Sequence, residues 1–141
     1  ARKCIIKEIT PDLKNSFLNQ HHIQGADRSS IKLGMFYNND LVGVMTFSKP
    51  RISLGGNSSL TNTYELSRYA SSIYIVGGFS KLISFFKKQY KPIEIYSYSD
   101  NRWTDPNNNV YMNNNFIKTK TRISYFLCNT YLLRCSISCY R

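Results

Sequence analysis

The stretch IYIVGGFSKLISFF, residues 73–86, constrains the fold of this chain more than any other segment. An apolar run typical of a strand ends at two adjacent glycines, Gly77 and Gly78, and a helical pattern follows them directly. The apolar positions of that pattern form one face of an amphipathic helix: Phe79, Leu82, Ile83, Phe86 and Tyr90. The stretch therefore predicts a strand, a glycine turn and a helix. The turn either cradles the phosphates of a ligand or only connects the strand to the helix.

A first helix is predicted after residue 10. Thr10 is a candidate N-cap, Pro11 suits the first helical position, and Gly25 ends the segment. Its apolar stripe is predicted to consist of Leu13, Phe17 and Leu18.

The remaining segments add strands, loops and one short helix. Residues 31–49 form a predicted hairpin around Asn38, Asn39 and Asp40, whose residue types tolerate turn geometry. Strand character returns at residues 64–76, at 93–99 and after residue 116, and a short helix is predicted within 110–116. This order of elements predicts an α/β fold in which helices flank one mixed sheet.

Length and charge point to a single domain with a polyanionic partner. The chain has 141 residues, with 19 Lys and Arg against 8 Asp and Glu, so its net charge is +11. Such an excess favours nucleic acid first and an anionic membrane second. The candidate DNA contacts are Lys49, Arg51, Lys87, Lys88 and Arg102.

Several other classes of protein are disfavoured by the sequence. No stretch reaches the roughly 18 apolar residues of a membrane span, and the start carries no signal-peptide apolar region, so we expect a soluble intracellular protein. No metal site is predicted, because the two Cys of CSISC have a three-residue gap and neither His is near them. A self-contained nuclease is disfavoured because clustered carboxylates or histidines are lacking.

Two groups of polar residues are candidates for catalysis. In SYSDNRW, Ser97, Ser99 and Asp100 lie at the C-terminal end of a predicted strand. Asp100 is a candidate general base or could hold an amine, and Arg102 could hold a phosphate. The alternative is that Asp100 and Asn101 only cap the loop. His22 is a candidate acid or base, or a contact to the edge of a nucleic-acid base, with a local capping or core role as its alternative.

Two segments resemble the GNAT (N-acetyltransferase-like) family: YELSRYASSIYIVGGFSKL and VYMNNNFI. The first occupies the place where that family holds the pyrophosphate of acyl-CoA. The resemblance implies acetyl-CoA or another acyl-CoA as cofactor, held at Val76, Gly77, Gly78, Phe79 and Ser80. In the second segment Asn115 replaces the family's glycine, and asparagine still tolerates left-handed geometry.

Five ordered blocks resemble a phage-encoded domain more closely: HHIQG, LVGVMTFSKPR, YELSRY, VGGFSKL and YSYSDNRW. That domain occurs alone or attached to phage homing-endonuclease-like proteins, and it is similar to the GNAT-like Mom proteins that modify adenine in phage DNA. The resemblance implies a domain over residues 1–127 and a tail of uncertain structure over 128–141. It also implies a missing N-terminal nuclease or zinc-binding region and a place in the cytoplasm of a phage-infected bacterium.

Two functions stay open at this stage. The first is a Mom-like transferase that modifies DNA bases with an acyl-CoA donor. The second is a non-catalytic DNA-binding module that serves a homing endonuclease. Binding of a cofactor at the glycine turn separates them.

Overall fold

The computed structural model describes residues 1–50, 62–100, 104–105, 107–122 and 130–136, and for residues 100, 119–122 and 130–136 it describes the backbone alone. The chain divides into two compact units, Ala1–Lys49 with Leu66–Lys91 and Pro50–Glu65 with Pro92–Arg141. The elements in chain order are β1 (Ile5–Glu8), α1 (Pro11–His21), β2 (Ile31–Tyr37), β3 (Asp40–Ser48), β4 (Thr63–Ser71), α2 (Gly78–Tyr90), β5 (Glu94–Asp100), a 3-10 turn (Met112–Asn114), β6 (Ile117–Arg122) and β7 (Thr130–Ser136).

The first unit contains the predicted hairpin. Its strands lie in the order β1-β2-β3-β4, and both β1 with β2 and β2 with β3 are antiparallel. Asn38 and Asn39, the turn residues between β2 and β3, both have positive φ, which the tightest hairpin turns require and asparagine tolerates. The strand β1 was not predicted, because it has only four residues and no regular alternation of apolar and polar positions.

The helix α1 begins where the sequence predicted and ends at His21, but it buries a different face. Thr10 caps it and accepts a hydrogen bond from the Leu13 amide at 3.4 Å. Leu13 is 42% exposed, whereas Phe17 and Leu18 are buried against Val44 and other core residues. The predicted stripe is therefore wrong at Leu13; the neighbouring Lys14 is buried instead.

Lys14 is buried because it forms an ion pair with Asp27. The two side chains are 3% and 4% exposed, and Lys14 Nζ lies 2.9 Å from Asp27 Oδ1. The same oxygen accepts from Ser29 Oγ at 3.2 Å, and Asp27 Oδ2 accepts from Thr46 Oγ1 at 2.7 Å. Burial alone would raise the pKa of Asp27, but the hydrogen bonds from Thr46 and Lys14 and the charge of Lys14 hold it below its ordinary value.

The helix α2 confirms the predicted amphipathic pattern. Its buried residues include Phe79, Leu82, Ile83 and Phe86, and the Phe86 ring stacks on Phe47 of β3 with the centroids 3.6 Å apart. Lys81, near the start of α2, donates to the carbonyl oxygens of Ala1, Arg2 and Cys4. At the other end, the Tyr90 hydroxyl donates to the Glu8 carboxylate of β1. The helix therefore contacts the segment that contains β1 at both of its ends.

The strand before the glycine turn is shorter than predicted. β4 ends at Ser71, and the apolar residues that follow it are largely exposed: Ile73, Tyr74 and Val76. The apolar residues extended the predicted strand to residue 76. In the structure, β4 extends only as far as it pairs with a neighbouring strand, which is to Ser71.

The second unit carries β5, β7 and β6 in that order, and β7 pairs with both neighbours in antiparallel fashion. The predicted short helix is a 3-10 turn of three residues, after which Asn115 adopts the left-handed conformation at φ 64° that its replacement of glycine predicted. β7 lies within residues 128–141, beyond the predicted end of the domain. The boundary at residues 127 and 128 itself stays a prediction.

Replacing Lys14 with Met tests the buried ion pair. The Asp27 carboxylate would stay buried without its charged partner, and we expect a loss of about 3–5 kcal/mol in the free energy of unfolding, measured by urea denaturation. Lys88→Met, on an exposed helical lysine, is the matched control and should change stability by no more than about 0.5 kcal/mol. Equal effects of the two substitutions would contradict a stabilising role for the pair.

The same variant has a pH signature. Because the folded pKa of Asp27 is below its ordinary value of 3.8, the ionised group contributes stability that is complete above pH 3.8 and is lost as the pH falls through the folded pKa. Lys14→Met removes two of the causes of that lowered pKa, so we expect its stability to fall less steeply in acid than that of the wild type.

Candidate functional site

Each glycine of the turn between β4 and α2 has a structural reason of its own. Gly77 adopts φ +70°, a left-handed conformation that favours glycine, and an added Cβ would meet nothing within 4 Å. A Cβ on Gly78 would lie 3.2 Å from Ile75 Cβ and 3.3 Å from the Tyr69 hydroxyl. The Gly78 amide closes the turn by donating to the Ile75 carbonyl at 3.0 Å. The glycine pair is thus explained as a tight turn without any ligand.

The end of α2 at this turn is nevertheless suited to an anion. No side chain caps the helix at Gly77, and no acidic residue lies in the first turn. Helix N-termini present backbone N–H groups and a partial positive charge, which side chains, water or a bound anion can satisfy. Two features therefore coincide here, an exposed glycine at the N-cap and a helix start without a side-chain cap.

The five residues predicted to hold a cofactor differ in what they offer. Gly77 and Val76 are exposed, Ser80 is half-buried, and Gly78 and Phe79 are buried. The Phe79 ring packs edge-on against Tyr69, with the centroids 5.1 Å apart, so its side chain serves the core. Together with Ile73 and Tyr74, Val76 forms an exposed apolar surface beside the turn.

His22, a predicted acid or base, is the C-cap residue of α1. Its backbone N–H donates to the Leu18 carbonyl at 2.9 Å, and its ring atom Nδ1 accepts from the Gln24 amide at 3.1 Å. Burial lowers the pKa of His22, the positive charge of Arg68 lowers it further, and the charge of Asp27 works in the opposite direction. His22 is therefore a neutral imidazole near pH 7.

The second unit holds the serines of the predicted catalytic group. Ser97 and Ser99 are both buried, and Ser99 Oγ lies 2.5 Å from Thr104 Oγ1. Asp100 ends β5, but its side chain and the whole of Arg102 lie outside the described residues. The catalytic roles of Ser99 and Asp100 stay predictions.

Tyr111 is a candidate that the sequence reasoning did not select. It precedes the 3-10 turn, its hydroxyl hydrogen-bonds with Ser97, and burial raises the pKa of that hydroxyl while the bond to Ser97 lowers it. The group therefore stays protonated at neutral pH. The signal in the sequence was the tyrosine of VYMNNNF, at the start of the segment that carries the GNAT resemblance.

The predicted DNA contacts are placed only in part. Lys49 is exposed just after β3, and Arg51 lies outside the described residues. Lys87 and Lys88 lie in the last turn of α2, where positive charge stabilises the helix end. Over the 13 residues of this helix they are separated from the glycine turn by most of its length, about 20 Å in full.

Two properties of the described residues limit the kinds of site that this part of the chain can form. None of the described helices is long and apolar enough to cross a membrane. Across the same part of the chain, no group of three or more His, Cys, Asp or Glu side chains could hold a metal ion.

No protein-family model matches the chain, and no curated protein matches it in sequence. Solved structures do match in fold. An N-acetyltransferase from Staphylococcus aureus Mu50 superposes with a TM-score of 0.69 at 14% identity, covering 94% of this chain and 98% of that one. Salmonella typhimurium yncA, solved with its cofactor acetyl-CoA, gives a TM-score of 0.70 at 12% identity, covering 98% and 96%. A GNAT-family acetyltransferase from Brucella melitensis in complex with acetyl-CoA gives 0.62 at 12% identity, covering 96% and 88%. The predicted fold is therefore confirmed: the chain has the GNAT fold, an α/β mixed sheet flanked by helices.

Proposed function

We propose that this chain is an acyltransferase that takes its acyl group from acetyl-CoA or another acyl-CoA. The observation that carries the proposal is the start of α2, which has no side-chain cap at Gly77 and no acidic residue in its first turn. Two of the solved structures with the same fold contain acetyl-CoA, which supports this choice of donor.

The residues at the turn fit a pyrophosphate. Backbone N–H groups of the first helical turn suit phosphate oxygens, and no carboxylate in that turn opposes them. The exposed apolar side chains of Ile73, Tyr74 and Val76 offer contact to the less polar part of such a ligand. The net charge of +11 favours the approach of any polyanion.

A bound acyl-CoA would supply an activated acyl group. Its carbon–sulfur bond would break as the acceptor bonds to the acyl carbon, and the proton that the acceptor loses would balance the proton that the thiolate gains. Within the second unit, Tyr111 offers a hydroxyl that is protonated at neutral pH. Its raised pKa keeps the proton on the oxygen, and the bond with Ser97 fixes the position of that oxygen. Buried Ser99 is held by Thr104, which suits a supporting role better than nucleophilic attack.

We further propose DNA as the acceptor, in line with the resemblance to phage-type Mom-like proteins. The support is the excess of positive charge and the exposed Lys49 at the end of β3. The second candidate function is a DNA-binding module of a homing endonuclease, which the same charge favours. A chain that binds duplex DNA but no acyl-CoA would be that module.

Substitutions at Ser80 test the acyl-CoA site. Ser80 is the third residue of α2, so a carboxylate there stabilises the helix by about 0.3–1 kcal/mol but repels a phosphate. Like charges about 4 Å apart repel by about 1 kcal/mol in water and about 4 kcal/mol near a protein surface. We expect Ser80→Glu to bind acetyl-CoA at least about fivefold more weakly by calorimetry while its melting temperature stays level or rises.

Ser80→Gln is the matched control, since glutamine has the same size as glutamate but no charge. It should bind acetyl-CoA nearly as well as the wild type. Absence of acetyl-CoA binding by the wild-type chain, or equal binding by Ser80→Glu, would exclude a phosphate site at this turn.

Salt dependence tests the DNA contacts. Changing Lys49 and Arg51 together to Ala should weaken binding of all duplex sequences alike. It should also reduce the slope of log affinity against log salt by up to about 1.8, since each duplex phosphate contact contributes about 0.9. Lys3→Ala, an exposed lysine outside the predicted contacts, is the control in a gel-shift series. No duplex binding at low salt would remove DNA as a direct partner.

A further inference from the structure

In the turn that follows α1, the backbone N–H, the carbonyl and the Nδ1 atom of His22 are all hydrogen-bonded. Its N–H donates to Leu18, its carbonyl accepts from the Gly25 amide at 2.9 Å, and its Nδ1 accepts from the Gln24 amide at 3.1 Å. Asn19 Oδ1 fixes the same turn by accepting from the Ala26 amide at 2.9 Å. The ring of His22 therefore has a fixed orientation.

The bond to Gln24 also fixes the tautomer of the ring. A nitrogen that accepts an N–H carries a lone pair, so the single proton of the neutral imidazole is on Nε2. Among the residues that the structure describes, Nε2 has no hydrogen-bond partner. His22 thus presents an N–H donor at Nε2, whereas a general base would have to present a lone pair there.

The surroundings of this donor favour an anion. The positive charge of Arg68 in β4, whose Nη1 donates to the Ser67 carbonyl at 2.8 Å, lowers the pKa of His22. The carboxylate of Asp27 also acts on the ring, but both of its oxygens are engaged, Oδ1 by Lys14 and Ser29 and Oδ2 by Thr46. The one acidic group known to influence His22 is therefore committed to the buried ion pair.

We propose that His22 Nε2–H is a binding contact for a phosphate oxygen, and that His22 is not the general base of the transfer reaction. Phosphate is the group that both proposed ligands share, since nucleic acid and coenzyme A each carry it. The inference goes beyond the proposed function, because it holds whether the chain transfers acyl groups or only binds nucleic acid.

Nitrogen-15 spectra of the two imidazoles test the proposal on the wild-type chain. We expect His22 to show a protonated Nε2 and an unprotonated Nδ1 at neutral pH. Its Nε2 should shift saturably on titration with inorganic phosphate, with coenzyme A or with a duplex oligonucleotide. The ligand that saturates at the lowest concentration identifies the source of the phosphate. The exposed His21 is the internal control and should shift little.

Two substitutions of His22 test whether its Nε2 acts as a hydrogen-bond donor or as a base. The Gln amide nitrogen reaches the place of Nε2, whereas Asn keeps only an acceptor near the place of Nδ1. For the ligand with the tightest binding, we expect His22→Gln to stay within about threefold of the wild type and His22→Asn to bind about tenfold or more weakly. Thermal melts monitored by circular dichroism check that both variants are folded.

Three results would overturn the proposal: a proton on Nδ1, no saturable shift with any of the three probes, or equal affinities for the Gln and Asn variants. These outcomes are independent of the acyl-CoA site. The acyl-CoA site is contradicted if acetyl-CoA does not bind, whereas this proposal is contradicted by the nitrogen-15 signals of His22.

Discussion

The first unit depends on one buried ion pair, Lys14 with Asp27. A buried charge is tolerated only when each of its polar atoms finds a partner, and Ser29 and Thr46 complete the set around the carboxylate. The pair connects α1 to the loop that follows it and to β3. It thereby anchors the loop between α1 and β2, which also carries His22.

The glycine turn shows how one motif can meet a structural and a functional requirement together. Gly77 is needed for its positive φ and Gly78 for its close approach to Ile75 and Tyr69, so neither glycine depends on a ligand. What suggests a ligand is the helix start, which has neither a side-chain cap nor an acidic residue in its first turn to meet its positive end. The proposal of an acyl-CoA site rests on that feature and not on the glycines themselves.

Local signals predicted much of the fold correctly. Thr10 and Pro11 start a helix, Asn38 and Asn39 form a hairpin turn, and Asn115 takes the left-handed conformation, because short-range sterics and capping decide all three. The predictions were wrong where contacts between residues distant in sequence determine the structure. Leu13 is exposed because its neighbour Lys14 has a buried partner distant in sequence. β1 was missed because a four-residue strand is defined mainly by its pairing with β2.

By itself, the sequence determined the order of the elements from α1 onward, the amphipathic face of α2, the glycine turn and the excess of positive charge, because periodicity, turn chemistry and net charge act locally or sum over the chain. Only the tertiary structure decided which groups have partners. It showed that Ser99 is held by Thr104, that Tyr111 meets Ser97, and that the Nδ1 of His22 is engaged. These facts set protonation and hydrogen-bonding roles, and they depend on burial and on distances between side chains that no linear pattern encodes.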